Sequence, residues 1–228
     1  SLAADGVRIL TYGIGADADV RAEALRLTSV GSQFMVTWNN ERHDYSIPLA
    51  GRHNVSNALA ALAAGFVLGY TPQEMQTGLR RLAVTKMRYE VHEVGTWTFI
   101  NDAYNASPSS MAAALETTAN LYEGRKIAVL GDMLELGDAA EEAHRRIGRR
   151  AAELGFAALV TYGPQSRWMH TAAEAAGCPI CCHAETHEAA AEHLRSLLRD
   201  ADTVLFKGSR GMKMEAVIAL LTGEEAGH

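Results

Sequence analysis

The chain has 228 residues, 48% hydrophobic and 21% charged, enough for one large domain or two modest ones with separate cores. Its net charge of −6 excludes an overall basic field for holding nucleic acid or an anionic membrane. No run of about 18 uncharged apolar residues occurs, and no basic stretch followed by an apolar one opens the chain. Neither a membrane span nor a signal peptide is therefore expected, and the cytoplasm is the expected compartment.

In chain order, residues 7–12 read as a strand entering a glycine-rich turn. Short strand-like runs follow at 23–28, 33–38 and 43–48, and Asn39-Asn40 suits a hairpin turn between the last two. Val55, Ala58, Leu59, Leu62, Ala63, Phe66 and Val67 then repeat at helical spacing. Thr71-Pro72 opens a second helix, running to about Leu82, with Thr71 as N-cap and proline at the first helical position. Strands at 89–94 and 96–101 meet around Gly95.

From there strands and helices alternate. Ser107-Pro108 starts a helix over 111–121, and 126–130 is a continuous apolar strand. Asp138 with Glu141 resembles a capping box opening a helix over 139–154. Then come a strand at 157–162, a helix at 165–176, a short strand at 179–182, a helix at 186–198, a strand at 203–206 and a helix at 211–221. Apolar strands alternating with helices predict an α/β fold, an open parallel sheet covered on both faces, from about Ala103 onward. In such sheets ligands bind beyond the C-terminal ends of the strands.

Cys178, Cys181 and Cys182 invite a metal or redox reading, but a zinc site needs four ligands and only His183 and His187 lie close by in sequence. The expectation is three thiols flanking a short buried strand.

Four segments could hold chemistry. Asn101–Pro108 packs an acid, an aromatic and two amides into a strand-to-helix turn, where Asp102 and Asn105 could bind a ligand or merely bond the turn. Residues 131–137 place Asp132 and Glu135 between glycines, as ligands for a substrate or metal or as solvated acids. Residues 207–211 gather Lys207, Ser209 and Arg210 before a helix, a plausible carboxylate cradle. Gly51-Arg52-His53-Asn54 opens the long apolar helix, where Asn54 and Asn57 could read a base edge. The Walker pattern is absent and Gly-Lys does not occur once.

In this order and spacing the segments resemble the Mur ligase family. The stretches are GRHNVSNALAA (51–61), INDAYNASPSSM (100–111), GDMLELG followed by His144 (131–144), and FKGSRGMKME (206–215), with TYGIGADADVRAE (11–23) as lead-in. The YNA-x-P-x-x-M and KGSR-x-x-x-ME forms are similar to members that add D-alanyl-D-alanine rather than meso-diaminopimelate or lysine.

The resemblance implies that residues 1–101 are the distal part of a central ATP-binding domain and residues 102–228 a C-terminal, dinucleotide-binding-like (Rossmann-type) domain. It implies ATP-dependent amide-bond formation with Mg2+, on UDP-N-acetylmuramoyl-tripeptide and D-alanyl-D-alanine, by a cytoplasmic monomer with no nucleic-acid or membrane partner. The phosphate-binding loop, carbamylated lysine and magnesium ligands would lie upstream, leaving this portion without catalytic or metal residues and inactive alone. Residue by residue, His53 and Asn54 match the segment facing adenine, and Asp102 the acid on the ribose hydroxyls. Arg88 matches an arginine touching nucleotide. Tyr104, Asn105 and Ser107 match the D-alanyl-D-alanine side, and Lys207, Ser209 and Arg210 the loop over the incoming amino-acid substrate. Two departures stand out: Ser107 replaces an asparagine common in the family, and Lys86-Met87 precede Arg88 where Pro-Gly is usual. The alternatives are another ligase of the superfamily, diaminopimelate-adding or folylpolyglutamate-type, and a non-catalytic amino-acid- or nucleotide-binding module. The D-N-P-R-like signature of the diaminopimelate type does not occur.

Overall fold

The structure, a computed structural model, describes residues 9–15, 17–82 and 86–223. The chain forms two compact units, dividing between Val84 and Thr85.

The first unit holds a four-stranded sheet of β1 (Tyr12–Ile14), β2 (Val20–Thr28), β3 (Gly31–Trp38) and β4 (Glu41–Ile47), in that order. β1 and β2 are parallel and the other pairs antiparallel. Residues 7 and 8 of the expected first strand lie outside the described residues. Asn39 (φ 47°) and Asn40 (φ 66°) are both left-handed, the backbone that a tight hairpin between two right-twisted strands requires and asparagine tolerates. The helix α1 (Arg52–Val67) buries Val55, Ala58, Leu59, Leu62 and Ala63 against this sheet, while Phe66 stacks on Trp38 at 5.2 Å between ring centroids. Val67, at the end of the predicted stripe, is exposed. In α2 (Pro72–Arg80) Thr71 and Glu74 form a reciprocal capping box.

The second unit holds a six-stranded sheet, order β5-β6-β10-β7-β8-β9. Its strands are β5 (Glu90–Val94), β6 (Trp97–Asn101), β7 (Lys126–Gly131), β8 (Ala158–Tyr162), β9 (Cys181–Ala184) and β10 (Thr203–Lys207). Only the β5–β6 pair is antiparallel. The helices are α3 (Pro108–Leu121), α4 (Ala140–Glu153), α5 (Ser166–Ala175), α6 (His187–Leu197) and α7 (Glu215–Thr222). Helices α3 and α5 pack on one face with α4 between them, and α6 and α7 cover the other. Strand residues alternate accordingly: Phe99, Ile127, Val129, Val160, Val204 and Phe206 face α6 and α7 in one dry cluster. The chain steps outward from β7 to β9 and returns through α6, so β10 fills the gap between β6 and β7. Among the described residues no helix is long and apolar enough to cross a membrane.

Several boundaries differ from the sequence reading: residues 9–11 of the expected first strand are not in a strand and β1 starts only at Tyr12, while β2 starts three residues early, at Val20. The hairpin β5–β6 belongs to the second unit, because β6 pairs with β10; the unit boundary therefore precedes residue 101 by a whole hairpin. The helix expected at 139–154 opens on a 3-10 turn (Gly137–Ala139) with no side-chain cap, and Glu141 instead pairs with Arg145. Strand β9 begins two residues late because Pro179 has no N–H for the ladder, and Leu159 N–H reaches Ile180 O before the strand begins. The last helix is broken: a 3-10 turn (Arg210–Met212) ends at left-handed Lys213 (φ 48°), and α7 starts at Glu215.

Candidate functional site

The register of β6, β10 and β7 decides where the site forms. Phe206 lies beside Asn101 and Lys207 beside Leu130, so the segments following these three strands emerge side by side at one end of the sheet. Segments far apart in sequence, 101–108, 131–137 and 207–211, become neighbours. Between them lies a cavity of about 440 Å3 lined by Tyr104, Asn105, Leu134, Glu135, Ser209, Arg210 and Gly211. Close approach of the loops requires glycine at 208, where an added Cβ would sit 2.8 Å from Met214 Cγ and 3.2 Å from Gly131 Cα.

The expected open cationic cradle is not what residues 207–211 build. Lys207 is buried and does not line the cavity. Its ammonium donates to Asp102 Oδ2 at 2.7 Å and to the Asn105 carbonyl at 2.9 Å. It thereby ties the end of β10 to the turn after β6. The other Asp102 oxygen accepts the Tyr89 N–H at 3.0 Å, so both oxygens already have partners within the chain. Ser209 is also buried: its hydroxyl accepts the Leu134 N–H at 2.9 Å and donates to Ala106 O at 3.3 Å, joining all three segments. No long helix begins directly behind these residues, because left-handed Lys213 interposes a break.

Arg210 does reach the cavity. It is half exposed and pairs through one guanidinium nitrogen with Glu215 Oε1, leaving further N–H groups. Across the rim the Arg88 guanidinium lies over the Tyr104 ring, 4.2 Å from its centroid. Arg88 is held by left-handed neighbours, Met87 (φ 60°) and Tyr89 (φ 55°). Met87 O accepts the Tyr104 N–H, and the buried Tyr89 hydroxyl meets Thr118 Oγ1 at 3.0 Å. Burial pushes the Tyr89 phenol far above its ordinary range, so it stays neutral. Asn105 lines the cavity while its side-chain Oδ1 accepts the Ala106 N–H at 2.8 Å.

Ser107 is turned to another purpose. It is the N-cap of α3, in a reciprocal box with Ser110, and does not line the cavity. Ser107→Ala is expected to lower the unfolding free energy by about 1 kcal/mol, measured by urea titration; no change would show the cap to be idle. His53 and Asn54 occupy the first turn of α1 in the first unit, both half-buried, with Asn54 Nδ2 donating to Ala50 O at 2.8 Å.

The two acids of residues 131–137 separate cleanly. Asp132 is buried and accepts the N–H groups of Gln165 (3.1 Å) and Ser166 (2.6 Å), serving the start of α5. Glu135 is exposed at the cavity. His144 is fully buried, donates through Nδ1 to Ala140 O at 2.7 Å and accepts the Met133 N–H at Nε2, which fixes its neutral tautomer. The sequence reading left Glu135 between a ligand and a solvated acid, and missed Glu215. The glycines around 131–137 signalled the first; nothing local signalled the second.

The three cysteines are free thiols. Cys178 Sγ points to the carbonyls of Phe156 and Ile180, and burial pushes the Cys181 thiol up to about 12 and Cys182 upward. Cys181 should therefore alkylate with iodoacetamide far more slowly at pH 8 than a free thiol, and accelerate only in strong alkali. Rapid labelling at pH 8, read by peptide mass spectrometry, would contradict this.

The family described as Mur ligase, glutamate ligase domain, matches residues 87–210, and the Mur ligase middle domain matches residues 1–65. The chain is 36% identical over 214 residues to the UDP-N-acetylmuramoyl-tripeptide–D-alanyl-D-alanine ligase of Bacillus subtilis, covering 91% of this chain and 46% of that protein. It is 33% identical over 209 residues to the ligase of the same name from Escherichia coli, covering 90% and 45%. The crystal structure of MurF from Acinetobacter baumannii superposes with a TM-score of 0.85 at 31% identity, covering 95% of this chain and 47% of that one. The chain thus spans about half the length of these relatives. With family matches in both units, the chain belongs to the Mur ligase family.

Proposed function

We propose that this chain is the C-terminal portion of a cytoplasmic, monomeric, ATP-dependent ligase that adds D-alanyl-D-alanine to UDP-N-acetylmuramoyl-tripeptide in peptidoglycan precursor synthesis. One observation supports this most directly: the cavity holding Tyr104, Asn105 and Ser209 presents the half-exposed Arg210 guanidinium, a fork suited to a carboxylate. The names of the relatives point the same way.

In this reaction ATP phosphorylates the peptide carboxylate, and the amine of D-alanyl-D-alanine attacks the acyl carbon. A C–N bond forms, the C–O bond to phosphate breaks, and phosphate leaves. The contribution of this portion is positioning, which converts an encounter of two substrates into an attack within one complex. Arg210 takes the dipeptide carboxylate, and Tyr104 and Asn105 wall the site. Lys207 and Ser209 act indirectly, by holding the loops in place. Arg88 and Asp102 serve the nucleotide, and His53 and Asn54 its adenine. Among the described residues no group of three His, Cys, Asp or Glu side chains could hold a metal ion.

The test is turnover by the complete ligase that contains this chain, with D-alanyl-D-alanine, meso-diaminopimelate, lysine and glutamate offered as acceptors. ADP release with D-alanyl-D-alanine alone is expected. Preference for another acceptor would overturn the assignment. The 228-residue chain is expected to bind ATP more weakly than micromolar, because it contains no Walker loop.

A further inference from the structure

Three acids lie in the segments that build the cavity, Asp102, Asp132 and Glu135, and a fourth, Glu215 at the start of α7, reaches Arg210. Three of these four are engaged within the chain. Asp102 holds Lys207 and the Tyr89 N–H, Asp132 holds the N–H groups of Gln165 and Ser166, and Glu215 holds Arg210. The Glu135 carboxylate makes no hydrogen bond or ion pair among the described residues, and it lines the cavity.

Its backbone adds a second, independent observation. Glu135 is left-handed (φ 63°), a conformation that costs a side-chain-bearing residue energy and that glycine adopts freely. Gly137, two residues on, supplies glycine where the loop needs the same conformation (φ 54°). At position 135 the loop keeps glutamate in a glycine's place, and that carboxylate stands unpaired in a cavity.

The cavity's charged lining residues are Glu135 and Arg210, of opposite sign. A cavity so equipped suits a ligand that is anionic at one end and cationic at the other, as a free amino acid or short peptide is at neutral pH. We propose that Glu135 binds the ammonium end of the zwitterionic acceptor, opposite the carboxylate held by Arg210. This rests on the reading of the cavity as the acceptor site. It makes recognition depend on a free amino group, whose nitrogen attacks once the bound ammonium has lost a proton to solvent.

The probes are D-alanyl-D-alanine and N-acetyl-D-alanyl-D-alanine, which keeps the carboxylate and loses the ammonium. Each is titrated into the 228-residue chain and followed by backbone amide shifts of residues 104–105, 134–135 and 209–211. The wild-type chain is expected to prefer the free-amine dipeptide by about tenfold or more, the scale of a hydrogen bond to a charged group. Glu135→Gln should abolish the preference while leaving the weaker acetylated binding unchanged. Glu135→Gly should abolish it equally, with a thermal midpoint at or above wild type because the strained backbone is relieved. Arg210→Ala should weaken both dipeptides. A wild-type preference retained by both Glu135 variants would overturn the proposal and leave the acceptor site standing. If the wild-type chain bound neither dipeptide, the acceptor-site reading would fall and this inference with it.

Discussion

Lys207→Met is expected to destabilise the C-terminal unit by about 3–5 kcal/mol, the usual cost of removing one partner of a buried ion pair. Methionine keeps most of the stem's volume, so the loss isolates the charge. It leaves the Asp102 carboxylate with the Tyr89 N–H alone and removes the donor to the Asn105 carbonyl. The Asp102 side chain retains 16% exposure, which places the effect toward the lower end of that range. The double variant Asp102→Asn/Lys207→Met should recover much of the loss, since a neutral pair leaves no stranded charge. Urea unfolding of the wild type and both variants measures this. A single-variant loss below about 1 kcal/mol would mean that Lys207 is effectively solvated.

Arg210→Ala in the complete ligase is expected to reduce kcat/KM for D-alanyl-D-alanine by about 1.5–3 kcal/mol, roughly 10- to 150-fold, with the KM for ATP unchanged. Two effects combine. The ligand carboxylate loses its fork, and Glu215, 13% exposed at its side chain, loses its partner and becomes an unbalanced negative charge near the site. Adding Glu215→Ala to Arg210→Ala should therefore recover stability and part of the binding, but not the wild-type value. Unchanged steady-state constants for Arg210→Ala would remove this residue from the acceptor site.

Much of the architecture was legible because local chemistry and global fold agree. Thr71 and Ser107 before proline, the paired asparagines at 39–40 and the apolar strands at 126–131 and 203–207 each point to the element that forms. What failed was long-range. The hairpin at 90–101 reads as the end of one domain until β6 is seen to pair with β10. A lysine ending an apolar strand beside Ser209 and Arg210 reads as part of a carboxylate cradle; the partner that occupies it, Asp102, lies about a hundred residues earlier. The left-handed turn at Lys213, which splits the last helix, has no local signal because lysine rarely adopts it. In the site, the resemblance assigned substrate contacts to Lys207 and Ser107, which the fold uses for an ion pair and a helix cap, whereas Arg210, Tyr104 and Asn105 line the cavity.

The central position of β10 also sets the order in which the second unit can be made. Each neighbour was synthesised long before: β6 about a hundred residues earlier, β7 nearly eighty. Until β10 leaves the ribosome, the β5–β6 hairpin and the β7–β8–β9 sheet expose facing edges with unpaired amides and carbonyls. Such late, non-local closure makes for slow folding and leaves nascent intermediates open to aggregation. A nascent chain stalled before residue 203 should remain protease-sensitive throughout the second unit, and one long enough to release residue 207 should acquire resistance in a single step.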